Sequence, residues 1–337
     1  MRVRGPLPAT TLPRTASPLR LTTARTVDLT GDSPLAADPD LRTFTADLAR
    51  PYGVALDEDA LAGARGQSYA VLGELAVRGL VDATRPVDLL VLVYATPDVR
   101  PGQSVATQLA GVCPGDPLAF AVCDEGVGGT FSALGITDAY ARTGGARRAL
   151  LIVAEQADLH HRPHRPARLP ERHSAAALLW EADGGGRPLQ LLASSSGVKG
   201  DQVGEELARL AAGLPVRTLL LLGPGLAAVP APPGVEVRRA RPGSPYTGGW
   251  AALGDALADL RLAGRALALA DREPETGRLD LACWAPETSE APEAFEVPTE
   301  SGELEDCEVF EEPTEPDEEP EEIEESEAFE EPEEPVG

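Results

Sequence analysis

Three short apolar runs, separated by stretches of helical character, constrain the fold of this chain most strongly. The runs are Val87–Ala95, Leu118–Cys123 and Ala149–Ala154. A run that is apolar almost without interruption is typical of a strand covered on both faces of its sheet. Between the runs, Ser104–Leu109 and Phe131–Thr143 predict helices, the second followed by two glycines. Strands that alternate with helices predict an α/β fold with both sheet faces covered.

The same segment resembles a known family. The first strand runs into the turn Thr96-Pro97-Asp98, and the second leads to a glycine-rich turn and the helix SALGITDAYARTGG, after which the third strand ends in Glu155. This arrangement is similar to the first half of beta-ketoacyl-ACP synthase III, a member of the thiolase superfamily. The resemblance implies an αβαβα layered fold of two related halves and a dimer, either a homodimer or a heterodimer with a ketosynthase.

The three residues that perform condensation in that family are replaced in this chain. The family uses a cysteine, a histidine and an asparagine, and the cysteine thiolate lies at a helix N terminus, where the helix dipole favours the anion. By the resemblance, the cysteine position falls on Val127, the histidine position on Pro224 and the asparagine position on Thr247. The neighbour Gly126 also lacks a nucleophile. We therefore expect the fold of a condensing enzyme without its triad.

Cys123 is the alternative nucleophile, because it stands at the end of a strand, four residues before Val127. An active acyltransferase similar to 3-oxoacyl-ACP synthase would use this thiol, or would transfer an acyl group without a covalent step. The adjacent carboxylates of Asp124 and Glu125 argue against activation, because nearby negative charge raises the pKa of a thiol. The simpler interpretation makes Cys123 a small, buried apolar residue.

The four histidines lie close together, and His160, His161 and His164 are weak candidates for a metal site. The prolines between them prevent a helix from presenting the three rings on one face. A solvated basic loop, which includes His173 and several arginines, is the favoured interpretation. We expect neither a metal nor a cofactor, and the loop is suited to receive an acidic partner such as a carrier protein.

The net charge of −26 is concentrated at the C-terminal end of the chain. Residues 287–337 hold 24 of the 55 acidic residues and none of the 29 basic ones, so the 31 acids that remain nearly balance the bases. This predicts a globular body of residues 1–286 and a disordered acidic tail. The resemblance divides the body into an N-terminal half, residues 1–195, and a shortened C-terminal half, residues 196–286.

The acidic tail repeats a pattern in which one aromatic residue stands in an acidic frame before a proline. The aromatic residues are Phe295, Phe310 and Phe329. One interpretation is a tail that provides solubility and spacing. The other is three linked docking motifs, each inserting its phenylalanine into an apolar pocket on a basic protein surface. A third hypothesis gives the tail a general affinity for basic proteins.

Cellular location and partner class follow from composition. The four cysteines lack metal-type spacing, which suits free thiols in a reducing cytoplasm. The longest apolar run, Leu89–Ala95, has seven residues, whereas a membrane-spanning helix needs about 20. We expect no membrane or nucleic-acid binding. The leading hypothesis is a non-condensing partner or scaffold subunit of fatty-acid or polyketide-type metabolism, which binds acyl-CoA or an acyl carrier protein and recruits a partner through its tail.

Overall fold

The computed structural model describes residues 16–31, 37–63, 66–162, 168–262 and 264–286. All of them belong to the compact unit Met1–Phe295. Within these ranges the strands are β1 Arg20–Leu29, β2 Leu89–Tyr94, β3 Leu118–Cys123, β4 Arg148–Glu155, β5 His173–Glu181, β6 Arg187–Ser195, β7 Leu219–Leu222, β8 Glu236–Arg239, β9 Leu267–Glu273 and β10 Arg278–Trp284. The α-helices are α1 Pro39–Ala49, α2 Glu58–Gly63, α3 Tyr69–Val77, α4 Val105–Val112, α5 Gly128–Arg142, α6 Val203–Ala211 and α7 Gly248–Ala258. Short 3-10 turns occupy Arg50–Tyr52, Pro224–Leu226 and Leu260–Leu262.

The strands join in the order β3-β2-β4-β5-β1-β6-β10-β9-β7-β8. The contact between β1 and β6 is narrow, since only Arg20↔Pro188 and Leu21↔Arg187 are paired there. The sheet therefore consists of two five-stranded parts that touch at one corner.

These two parts repeat the same topology. In the first, β2 runs parallel to β3 and β4, and β5 runs antiparallel to β4 and β1. In the second, β7 runs parallel to β8 and β9, and β10 runs antiparallel to β9 and β6. Strands β4 and β9 are therefore equivalent, as are the helices α5 and α7 that precede them. The repeat in strand order groups β6 with the second part, and a boundary between halves at residue 195 remains a prediction.

Three apolar clusters show how helices and sheets are layered. The largest joins α5 and α7 to the inward faces of both sheet parts. A second joins α3 and α4 to the outer face of the first part, and a third joins α6 to the outer face of the second. The order is thus α3/α4, sheet, α5/α7, sheet, α6, which is the αβαβα layering expected from the sequence. Both faces of β4 are covered, and all its residues are buried.

Two helical expectations need correction. The periodicity of 57–79 suggests one helix, but α2 ends at Gly63 and α3 begins after Ser68, whose hydroxyl accepts a hydrogen bond from the Val71 N–H at 3.3 Å. A serine cap starts a new helix here. Helix α1 was missed, although Asp38 caps it, with its carboxylate accepting from the Asp40 and Leu41 N–H groups.

The glycine-rich segment between β5 and β6 also differs from expectation. The apolar segments Ser174–Glu181 and Leu189–Ala193 around the glycines predict a hairpin, but β1 lies between β5 and β6, and β5 pairs with β1 and β4. The two sheet parts differ in one connection. In the first part, α4 connects β2 to β3. In the second part, the equivalent connection from β7 to β8 contains only the 3-10 turn Pro224–Leu226. In the described part of the chain, no helix combines the length and apolar content needed to cross a membrane.

Candidate active site

The two central helices begin side by side at the heart of the molecule. The residue before α5 is Val127 and the residue before α7 is Thr247, two of the three positions that the resemblance assigns to condensation chemistry. Neither side chain caps its own helix. The first turns are held together by Phe131 and Trp250, whose ring centroids lie 5.2 Å apart.

The N terminus of α5 is capped from the other half of the molecule. Glu273, the last residue of β9, accepts a hydrogen bond through Oε2 from the Val127 N–H at 3.0 Å. The same carboxylate lies against Gly126, where an added Cβ would overlap Oε2. Gly126 has a φ of 56°, which glycine adopts without strain. The space in front of this helix is therefore occupied by a carboxylate of the chain itself.

The N terminus of α7 is capped in the equivalent way. Glu155, the last residue of β4, accepts through Oε2 from the Tyr246 N–H at 2.8 Å and the Thr247 N–H at 3.2 Å. Its Oε1 accepts from the Thr247 hydroxyl at 2.6 Å and the Ser174 hydroxyl at 2.8 Å. Burial raises the pKa of Glu155, and the hydrogen bonds oppose that shift. Each half thus ends its fourth strand in a glutamate that caps the central helix of the other half.

The third predicted position, Pro224, lies next to the start of α7. Its Cγ is 3.1 Å from the point where a Cβ on Gly248 would stand. The turn that contains Pro224 is fixed by Asp271 of β9, which accepts from the Gly225 N–H at 2.8 Å. Burial raises the pKa of Asp271 to about 7. Asp271 and Glu273 share one strand end, so Val127 and the turn of Pro224 lie close to neighbouring carboxylates, whereas Thr247 contacts Glu155.

The described contacts of these carboxylates hold backbone N–H and hydroxyl groups in place. Among the described residues, no cysteine or histidine hydrogen-bonds to Glu155, Asp271 or Glu273. Sequence reasoning identified Glu155 as a strand end but missed Asp271 and Glu273. The available signal was the sequence LALADRE, an apolar strand with acids at its end.

Cys123 lies apart from this group, at the end of the edge strand β3. The thiol is exposed, so the interpretation of a buried apolar residue is wrong. The edge position explains the difference, because β3 is paired on one side only. Desolvation and the adjacent Asp124 carboxylate raise the pKa of Cys123. The direction of that shift agrees with the expectation from sequence.

The histidine segment is more enclosed than a solvated loop. His160 and His173 are only 4% and 2% exposed. The His173 Nδ1 accepts from the Ala157 N–H at 3.1 Å, and its Nε2 lies 3.3 Å from Asp158 Oδ2. Burial lowers the pKa of His160 and of His161. The described residues contain no group of three histidine, cysteine, aspartate or glutamate side chains that could hold a metal ion. His164 lies outside the described residues, and so do the three tail phenylalanines Phe295, Phe310 and Phe329.

Solved structures show which known proteins share this architecture. AbyA1, a tetronic acid condensing enzyme, superposes with a TM-score of 0.52 at 17% identity, over 80% of this chain and 100% of that one. The beta-ketoacyl-[acyl carrier protein] synthase III of Thermus thermophilus gives 0.51 at 14% identity, over 79% and 99% of the two chains. Xanthomonas campestris OleA with bound lauric acid and lauroyl-CoA gives 0.52 at 13% identity, over 81% and 100%.

The chain has the thiolase-type fold of ketoacyl synthase III-like enzymes. At this level of identity the likeness establishes the architecture, and the resemblance noted in the sequence is confirmed for the fold. No protein-family model matches the sequence, and no curated protein sequence is significantly similar to it.

Proposed function

We propose that this protein is a non-condensing subunit of ketoacyl synthase III type that acts in the cytoplasm, in fatty-acid or polyketide-type metabolism. The observation that supports this proposal best is the Glu273 carboxylate at the N terminus of α5. A condensing enzyme needs a thiolate where a helix dipole stabilises negative charge. Here that stabilisation is given to Glu273 through the Val127 N–H.

Glu273 occupies the space in front of the helix, and its negative charge would also repel a thiolate there. Two unit charges about 5 Å apart repel by about 3 kcal/mol at an effective dielectric constant of about 20, which is more than two pKa units. A cysteine introduced at position 127 alone would therefore lie beside a negative charge that raises the pKa of its thiol. The absence of a thiol at position 127 and the presence of the Glu273 carboxylate there both oppose acyl transfer at this helix end.

The competing hypothesis is an active acyltransferase that uses Cys123. One observation favours it, because the thiol is exposed and accessible to a large thioester. Two observations oppose it. The pKa of the thiol is raised by desolvation and by Asp124, and none of the histidines that the structure describes is among the groups that influence it.

Acyl transfer to the protein separates these hypotheses. The full chain would be incubated with acyl-CoA and with acyl carrier protein loaded with an acyl group, and its intact mass measured. An active ketoacyl synthase III serves as the positive control. We expect no adduct. An adduct that disappears in Cys123→Ala would establish the acyltransferase, and an adduct that persists in the variant would point to another nucleophile; either would overturn the non-condensing role.

We also propose that the protein dimerises through β3, either with itself or with an intact ketosynthase. This edge strand exposes Leu118 by 53% and leaves one row of backbone groups without a strand partner among the described residues. Such an edge favours pairing with a second chain. Sedimentation of Leu118→Lys beside the wild type, alone and with a ketosynthase III, tests this. Monomeric behaviour of the wild type in both conditions would refute it.

The acidic tail is proposed as the docking element for a basic partner. Its support comes from the sequence, where Phe295, Phe310 and Phe329 recur in matching acidic frames. Replacing the three phenylalanines by serine keeps the charge and removes the apolar anchors. We expect partner recovery in a pull-down to fall sharply. Unchanged recovery would leave charge and spacing as the role of the tail.

A further inference from the structure

A pocket of about 590 Å³ lies at the end of the second sheet part where the parallel strands β7, β8 and β9 begin. Its wall is formed by the last residues of α6, by the turns that precede β7 and β8, and by Arg265 before β9. Glu273 is at the opposite end of β9, so the pocket is separate from the carboxylates of the candidate active site. A volume of this size falls within the range of sites that bind ligands.

The wall of this pocket combines apolar surface with positive charge. Leu214 and Val235 are partly buried and pack against the apolar cluster around α6, and Val216 is 92% exposed. Arg217 and Arg265 border the same space. An apolar surface beside guanidinium groups suits a ligand in which an apolar group is flanked by carboxylates.

Arg217 supplies a positive charge that no carboxylate neutralises within the described part of the chain. Arg265, by contrast, donates through Nη2 to Glu236 at 2.7 Å and through Nε to the Arg217 carbonyl at 3.0 Å. The second bond helps to hold Arg217 at a φ of 64°, in the left-handed region that non-glycine residues rarely adopt. Backbone strain of this kind is concentrated at binding and catalytic sites, which favours a ligand for Arg217.

The chain leaves the sheet at the same end as this pocket. Strand β10 ends at Trp284, which pairs with Leu267 at the start of β9, and Leu267 pairs in turn with Leu219 at the start of β7. The end of β10 is therefore two strand spacings, or about 10 Å, from the start of β7. Phe295 follows Trp284 by 11 positions, and an extended chain of that length spans about 36 Å. The first aromatic residue of the acidic tail is thus within reach of the pocket.

We propose that this pocket binds the start of the acidic tail of its own chain, with Phe295 against the apolar surface and the neighbouring carboxylates beside Arg217. Residues 287–300 contain five glutamates and no basic residue, so their charge is complementary to that of the arginines. A buried phenylalanine removes about 150 to 250 Å² of surface from water. The tether raises the effective concentration of Phe295 to about the millimolar range, so a weak contact is enough for binding. The inference does not depend on the partner-docking role proposed for the tail, because it requires no second protein.

Disulfide trapping on the full chain tests this contact. Val216→Cys places one thiol at the pocket rim, and Ala294→Cys places another beside Phe295. Both changes are made in a background that carries Cys123→Ala and Cys307→Ala, which leaves only the buried Cys113 and Cys283.

Oxidation by oxidised glutathione is followed over time by intact mass and by non-reducing electrophoresis, which separates linked pairs of chains from single ones. We expect a disulfide within one chain, formed at a rate that does not change with protein concentration.

Matched variants separate docking from simple tethering. Phe295→Ser keeps the tether and the charge and removes the apolar anchor, so the disulfide should form about tenfold more slowly. Phe329→Ser makes the same change in the third repeat of the tail and should leave the rate unchanged. Arg217→Gln should slow the reaction about threefold, once the rate is corrected for the reactivity of the thiol at position 216 toward iodoacetamide.

Four results would each overturn part or all of the proposal. A rate that Phe295→Ser leaves unchanged would show that the tether alone brings the thiols together. Disulfides that form only between chains, faster at higher protein concentration, would assign the pocket to the tail of a second copy. The absence of any disulfide would place the tail segment elsewhere, and an unchanged rate in Arg217→Gln would remove the role of its charge. None of these results depends on the acyl-transfer assay or on the partner pull-down, so the proposals can fail separately.

Discussion

Asp271 makes the stability of this fold depend on pH in a direction opposite to that of most carboxylates. The residue is 6% exposed, and burial raises its pKa from 3.8 to about 7. The folded state therefore binds this proton more tightly than the unfolded state does. By linkage, the contribution is fully present below the unfolded pKa and is lost as pH rises through the folded value. Between these two values, unfolding becomes easier as the solution becomes less acidic.

The substitution Asp271→Asn removes this dependence while keeping an amide oxygen that accepts from the Gly225 N–H. A change of pKa from 3.8 to about 7, at 1.36 kcal/mol for each pH unit, corresponds to about 4 kcal/mol. From about pH 4 to about pH 8.5, the stability of the variant relative to the wild type should therefore rise by about 4 kcal/mol. A gain of this size is a large fraction of the stability of a typical domain.

Equilibrium urea unfolding at a series of pH values measures this difference. Tryptophan fluorescence is a suitable probe, because Trp180, Trp250 and Trp284 are all buried at the junction of the two sheet parts. Asp183→Asn removes a carboxylate that is 74% exposed and controls for the loss of one negative charge. Parallel pH profiles for wild type and Asp271→Asn would refute the reasoning, because they would mean that Asp271 titrates alike in the folded and unfolded chains.

Three further outcomes follow from the geometry. With Cys123 and the tail cysteine replaced by alanine, Val127→Cys should show a lower thiol pKa when Glu273→Gln is added, by about two units in an iodoacetamide pH profile; equal midpoints would show that Glu273 does not control this helix end. Gly225→Ala should lower the melting temperature strongly, since its Cβ would overlap the Arg272 carbonyl, whereas Gly200→Ala, with nothing within 4 Å, should not; similar melting curves for the two variants would contradict this. In the wild type, alkylation of the exposed Cys123 should reach half its maximal rate above pH 9.0, the ordinary pKa of a thiol, and a midpoint below that value would show that the thiol is activated.

Much of the fold can be predicted from the sequence, because local patterns of apolar residues and glycines indicate its strands and helices. Continuous apolar runs identify β2, β3 and β4, and the helix after the glycine-rich turn identifies α5. The structure places Val127 and Thr247, the positions that the resemblance assigns to condensation chemistry, directly before α5 and α7.

What the sequence did not reveal are contacts between distant segments. Glu273 and Val127 are 146 positions apart, and Glu155 and Thr247 are 92 apart. Such pairs depend on strand order and register, and the spacing of apolar residues within one segment does not reveal either. The misplaced hairpin has the same origin, because the insertion of β1 next to β5 depends on a strand that occurs about 150 residues earlier.

Each central helix is capped by a glutamate from the other half, and this affects how the protein can be divided into fragments. A chain cut in the turn between β5 and β6, near Gly185, would leave each fragment with a helix end whose cap resides on the other fragment. Neither fragment should fold stably alone, because each lacks the glutamate that caps its central helix. The two fragments together contain both helix ends and both glutamates. Co-expressed fragments should therefore complement one another, and such a split form would report on encounters between two proteins to which the pieces are fused.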